Sequence, residues 1–209
     1  MKVVVATRNK GKLREIISLL AGAPLLAELT LELATIDELA PDAELREDGV
    51  TFEENALAKA RQAARATGLP AIADDSGLEV DALDGAPGVY SARYAGPSAD
   101  DGANNAKLLE ALRGLPPARR AARFRCVAVF VDPSRGIEIV RAGACAGEIL
   151  AVPRGSDGFG YDPLFLVPTV GRTMAELPLD EKNRFSHRAV AFRALAAELA
   201  RQKGAPASQ

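Results

Sequence analysis

Asp74 and Asp75 stand side by side where the apolar run Ala71-Ile72-Ala73, which follows Pro70, stops abruptly. Adjacent carboxylates suit a hard divalent cation, which takes oxygen ligands. A second group is cationic: Arg8, Lys10 and Lys12 within Thr7-Arg8-Asn9-Lys10-Gly11-Lys12. Placed ahead of a helix, such a loop suits phosphate, because a helix start offers free N–H groups and a positive dipole end. It is not a Walker loop, since the glycine spacing and the Lys-Ser/Thr ending are missing. A third group is Gly155-Ser156-Asp157-Gly158-Phe159-Gly160-Tyr161-Asp162-Pro163. Its glycines permit close approach of a ligand to the backbone, and Phe159 and Tyr161 are suited to stacking on a flat base. Each group also has an ordinary explanation. The acids make an Asx-type turn, the basic run a solvated turn, and the aromatics plugs for the edge of a core.

The elements that must position these groups follow from pattern. Ala71–Ala73 reads as a buried strand ending at the acid pair, with Ser76 and Gly77 turning the chain sharply. Side chains alternate along a strand, which sends Asp74 and Asp75 to opposite sides. Val3-Val4-Val5-Ala6 reads as another buried strand, and Leu13 to Leu20 has helical spacing. Leu29 to Thr35 is compatible with a strand. Thr51 with Glu54 three residues on is a capping-box signature, so a helix runs from Thr51 to about Thr67, stopped by Gly68 and Pro70. Glu47 lies in the loop just before it. Lys59 lies on this helix, where a solvated lysine is the default. Ser98-Ala99-Asp100-Asp101 starts a capped helix reaching about Arg113, with Leu108, Leu109 and Leu112 as its core-facing stripe. Phe124, Cys126, Ala128 and Phe130 alternate on one face of a strand. A turn at 132–136 and a return over Ile137–Ile149 complete a long hairpin. Ser186 caps a last helix that buries Phe192, Leu195 and Leu199. His187 and Arg188 fall in its first turn, where a lone histidine reads as a cap or a solvent-facing residue. Residues 203–209 read as a disordered tail.

Strands alternating with helices early, and a long hairpin late, predict an α/β protein. Its expected form is a mixed twisted sheet in two lobes, with helices on its faces and a central substrate cleft. Residues 1–202 form one domain in this reading.

Composition narrows the function classes. The chain has 209 residues, 48% of them hydrophobic, enough for a substantial core. A net charge of −2 argues against a broad nucleic-acid surface. No apolar run approaches the length that spans a bilayer. Lys2 precedes only four apolar residues before Arg8, Lys10 and Lys12, which is no signal peptide, so a cytoplasmic location is expected. Cys126 and Cys145 lack metal-ligand spacing and read as small buried residues. His187 is the only histidine, which rules out a multi-histidine centre.

Five motifs, in order and spacing, resemble the Ham1-like family of inosine triphosphate pyrophosphatases. They are Ala6–Lys12, Glu47–Ala56, the stretch 71–94, Gly158–Pro163 and Ser186-His187-Arg188. The resemblance covers nearly all of the chain. It implies that Thr7, Arg8, Asn9, Lys10, Gly11 and Lys12 contact triphosphate and sugar. It implies that Mg2+ is held by Glu47 and Asp75, with Glu54 as an alternative ligand. Asp75 is the expected general base, and Asp74 shares that work in a second version. Phe159, Gly160, Tyr161 and Asp162 form the expected nucleoside-binding loop, Asp162 orienting the base or its neighbours. Ser76 and Lys182 are further nucleotide contacts, and His187 and Arg188 recognise the base. The implied partner is a small-molecule nucleoside triphosphate, with no nucleic acid and no membrane, in a homodimeric protein. The implied reaction is attack of water on the α-phosphorus of ITP, dITP or XTP, releasing pyrophosphate. Two rival functions are a pyrophosphatase with another base preference and a non-catalytic nucleotide-binding regulator.

Overall fold

The computed structural model describes residues 1–22 and 31–204. Among these, seven strands form one mixed sheet in the order β2-β1-β3-β4-β5-β6-β7. The strands are β1 (Lys2–Val5), β2 (Glu32–Thr35), β3 (Ala71–Val80), β4 (Ala121–Asp132), β5 (Ile137–Ile149), β6 (Phe165–Val167) and β7 (Arg172–Thr173). The helices are α1 (Lys10–Ala21), α2 (Ile36–Leu39), α3 (Phe52–Thr67), α4 (Asp101–Ala111), α5 (Leu179–Lys182) and α6 (His187–Gly204). β1 pairs in parallel with both β2 and β3. β6 pairs antiparallel with β5 and with β7. The expected α/β class and mixed sheet are therefore what the chain forms.

The chain divides into two compact units. The first comprises residues 1–75, 126–143 and 188–209. Its core joins Val3, Val5, Ile16 and Ile72 to Cys126, Phe130, Phe192 and Leu195. The second comprises residues 76–125 and 144–187. Its core gathers Leu78, Val80, Leu108, Leu112, Phe124, Tyr161, Leu164 and Phe165. Both cysteines are buried, as expected.

One expectation fails at the acid pair. β3 does not stop there but runs on to Val80. Ser76-Gly77 has turn composition, yet Leu78 and Val80 are wholly enclosed and extend the strand into the second core. The chain reverses later, where Asp84 and Gly85 take left-handed backbone angles (φ 52° and 86°). Two boundaries also shift. The helix after Ser98 is capped by Asp100, whose side chain accepts from the Ala103 N–H at 2.7 Å. α6 continues through Gly204, so the expected tail does not begin at 203; residues 205–209 lie outside those described. Of the strand expected from Leu29, residues 29 and 30 lie outside as well.

Candidate active site

The first unit gathers the acids and the cations. Thr7 closes β1's loop by accepting the Asn9 N–H at 3.3 Å through Oγ1. Asn9 caps α1, its Oδ1 accepting from the Lys12 N–H at 3.0 Å. This cap fixes the start of a twelve-residue helix with no acid in its first turn, where free N–H groups favour an anion. Lys10 is exposed, and Gly11 and Lys12 are half-buried. Lys12 Nζ lies 3.7 Å from Asp75 Oδ1 and 3.9 Å from Asp74 Oδ2. The Arg8 guanidinium donates to Asp37 at 2.9 Å and to the carbonyls of Pro41 and Ala43 at 2.5 and 2.8 Å. It holds the segment that leads toward Glu47.

β3's alternation sends the two acids to different partners. Asp74 is completely buried; its Oδ2 accepts from Arg188 Nε at 3.0 Å. The Cys126 thiol lies 3.8 Å from the same oxygen. Arg188 also pairs with Glu15 on α1. Complete burial opposes the charge on Asp74, but Lys12, Arg188 and Lys59 outweigh it and hold the carboxyl well below the usual range. Arg188 is thus enclosed among acids of the first unit.

Asp75 behaves the other way. Burial pushes its carboxyl above the usual range, against the pull of Lys12 and Lys59, and Glu47 adds to the rise. Its Oδ2 accepts from Asn55 Nδ2 at 3.0 Å, and its Oδ1 lies 3.6 Å from Lys59 Nζ. Lys59 also pairs with Glu47. The expectation of a solvated Lys59 is overturned: only 4% of it is exposed. Burial alone would lower its affinity for a proton, but Asp75 and Glu47 raise it. Glu54 is not part of this cluster. It accepts from the Val50 N–H at 2.8 Å while Thr51 Oγ1 accepts from the Glu54 N–H at 3.1 Å, so Glu54 serves the helix cap.

The donor set fits a hard cation in a specific sense. Glu15, Glu47, Asp74 and Asp75 are four carboxylates against the three cations Lys12, Lys59 and Arg188. Carboxylates repel a bare triphosphate, and a divalent ion between the two offsets that repulsion. Lys59 already bridges Glu47 and Asp75, which shows that those two oxygens can share one positive centre. Among the described residues, no group of three or more His, Cys, Asp or Glu has a metal-holding arrangement. Magnesium needs no such cage, since it retains waters and takes phosphate oxygens.

The second unit carries the aromatic loop. Asp162 is buried, and its Oδ2 accepts from the Phe159 N–H at 3.0 Å and from Lys182 Nζ at 2.6 Å. A side chain on Gly158 would meet that oxygen at 2.1 Å, and its φ is 78°, so only glycine fits. Lys182, likewise buried, serves this loop through Asp162. Gly160 is held from both sides: its N–H donates to Asp101 at 2.6 Å and its carbonyl accepts from Asn105 at 2.8 Å. Tyr161 corrects the expectation of a second stacking ring. It is buried in the core and its hydroxyl donates to the Ser91 carbonyl at 2.8 Å. Phe159 is half-buried, with Lys182 Nζ 5.4 Å from its ring centre. His187 is buried and stacks on Phe124 with centroids 4.8 Å apart, so the solvent-facing alternative is excluded. Ser76 is half-buried directly after Asp75 on β3.

The model of the Ham1 family matches residues 3–198. The chain belongs to the Ham1 family. Among curated proteins, the dITP/XTP pyrophosphatase of Geobacter sulfurreducens is 56% identical over 187 residues, 90% of each chain. That of Desulforamulus reducens is 51% identical over 193 residues, 92% of each. Among solved structures, the Ham1 protein of Staphylococcus aureus superposes with a TM-score of 0.83 at 41% identity, covering 97% of this chain and all of that one. The Coxiella burnetii HAM1 protein gives 0.84 at 42%, covering 96% and 99%. Within this Ham1 chain, sequence reasoning missed Glu15 and Asn55 as members of the acid–cation cluster. The available signal for Asn55 was its place one helical turn before Lys59, on the same face of α3.

Proposed function

We propose that this chain hydrolyses ITP, dITP and XTP to the nucleoside monophosphate and pyrophosphate, removing these nucleotides from the pool used by polymerases. The observation that carries this reading is Asp75. It is a buried acid set between Lys12 and Lys59, with Glu47 beside the same lysine.

In this reading the α1 loop, through Thr7, Asn9, Lys10, Gly11 and Lys12, binds the phosphates. Lys12 and Lys59 stabilise charge that develops on them. Glu47 and Asp75 would hold Mg2+, which would neutralise phosphate charge and position the leaving pyrophosphate. Asp75 accepts the proton of the attacking water. Asp74, kept ionised by Lys12 and Arg188, raises the negative potential beside it. Phe159 stacks on the base, and Asp162 and Lys182 hold its loop in shape. Ser76 contacts the nucleotide. His187 is the side chain we assign to the base's 6-keto oxygen. A site that donates a hydrogen bond there rejects adenine, because donor would face donor.

We also read the protein as a cytoplasmic homodimer, with residues 1–202 as one Ham1-like domain. No helix among the described residues is long and apolar enough to cross a membrane. The test of function is pyrophosphate release, with magnesium, from ITP, dITP and XTP beside ATP and GTP. Release from the first three only supports the reading. Binding of ITP without release supports the regulatory alternative.

A further inference from the structure

Asn55 touches both halves of the proposed metal site without being a ligand. It lies in the first turn of α3 and is 1% exposed. Its Nδ2 donates to Asp75 Oδ2 at 3.0 Å. Its Oδ1 accepts the Gly49 N–H at 2.8 Å, two residues after Glu47. The orientation of the amide is not arbitrary. A backbone N–H can only donate, so Oδ1 must face Gly49 and Nδ2 must face Asp75.

We propose that Asn55 is a positioning residue for the pyrophosphatase reaction. One end of its amide fixes the Asp75 carboxylate, and the other end fixes the Glu47–Gly49 segment against it. This rests on the function proposed above. Three observations support it. First, Asn55 and Lys59 are one turn apart on α3 and address different oxygens of Asp75: the amide takes Oδ2 and the ammonium lies 3.6 Å from Oδ1. The helix thereby sets the plane of the carboxylate and leaves Oδ1 toward the two lysines. Second, Gly49 is glycine for this contact. A side chain there would meet Asn55 Oδ1 at 2.8 Å and Glu54 Cβ at 2.7 Å. Third, the segment is pinned again at Arg46, whose N–H donates to Gln62 Oε1 on α3 at 2.8 Å. Glu47 is therefore held on both sides by α3, and Asn55 joins Lys59 in passing that hold on to Asp75, each through a different oxygen.

Asn55→Asp and Asn55→Leu separate the two ends. Aspartate keeps an acceptor for Gly49 and loses the amide donor; leucine loses both. Partners that orient metal ligands typically carry about 10–100-fold in activity or metal affinity. Asn55→Asp is expected to lower kcat for ITP by that order, with KM near the wild-type value. The Gly49 amide, followed by hydrogen exchange in the metal-free protein, should stay protected. Asn55→Leu is expected to lower kcat similarly, to raise the Mg2+ concentration for half-activation, and to expose the Gly49 amide to exchange. If Asn55→Leu does not fold, Asn55→Asp alone carries the test. Wild-type kcat and Mg2+ requirement in a folded Asn55→Asp protein would overturn the proposal. Failure of the unaltered protein to release pyrophosphate from ITP would instead overturn the reading beneath it, and this proposal with it.

Discussion

Arg188 Nε donates to Asp74 Oδ2 at 3.0 Å, and both side chains are essentially fully enclosed. The guanidinium also pairs with Glu15, so one buried cation serves two buried acids. Removing it strands charge rather than a contact. Arg188→Met should cost about 3–5 kcal/mol of stability, read from denaturant unfolding. Glu15→Gln keeps the Arg188–Asp74 pair and should cost about 1–3 kcal/mol. Equal, negligible losses would show that the network is not a stabilising one.

Asp74 also gives the protein a signature in acid. Its folded-state affinity for protons is depressed below the ordinary value of 3.8 despite burial, because Lys12, Arg188 and Lys59 stabilise its charge. A depressed acid contributes stability above its unfolded pKa and loses it as pH falls through the lower folded value. Asp74→Asn should therefore melt below the wild type at pH 7. The gap should narrow as pH falls below about 3.8. Thermal melts across pH 2–7 for both proteins check this, and a gap that widens in acid contradicts it.

Glu47 and Glu54 make a matched pair of substitutions. Glu47 stands with Lys59 beside Asp75, whereas Glu54 caps the start of α3. Glu47→Gln should raise the Mg2+ requirement and lower kcat by about 10–100-fold. Glu54→Gln still accepts the Val50 N–H and should leave both unchanged, with a stability loss of under about 1 kcal/mol. A magnesium titration of the steady-state rate distinguishes the two glutamates.

The aromatic loop offers a second contrast. Phe159 is half-buried over the Asp162–Lys182 pair, while Tyr161 is part of the core. Phe159→Ala should weaken ITP binding by about 1–3 kcal/mol, seen mainly in KM. Tyr161→Phe loses one hydrogen bond to Ser91, worth about 0.5–1.5 kcal/mol of stability, and should leave KM unchanged.

Much of this arrangement was legible locally. The Thr51 cap and the Gly68 stop with its left-handed φ of 70° follow from residues within a turn of each other. The misreadings share one cause, which is that the deciding partner is distant in sequence. Ser76-Gly77 looks like a turn until Leu78 and Val80 are seen to enter a second core. Lys59 looks solvated because Glu47 and Asp75 are 12 and 16 residues away. Arg188 gives no local sign of its pairing because Glu15 lies 173 residues away. Tyr161 has the same composition signal as Phe159, and only packing separates them.

The most direct test of the central claim is the rate of pyrophosphate release from ITP with magnesium, for the wild type and Asp75→Asn. The amide is nearly isosteric with the acid and, at neutral pH, carries no buried charge, so the variant should fold. The account predicts release of pyrophosphate and IMP by the wild type, and loss of kcat by about 10²–10⁴-fold in the variant. An Asp75→Asn protein that is folded and turns over ITP at the wild-type rate would contradict it.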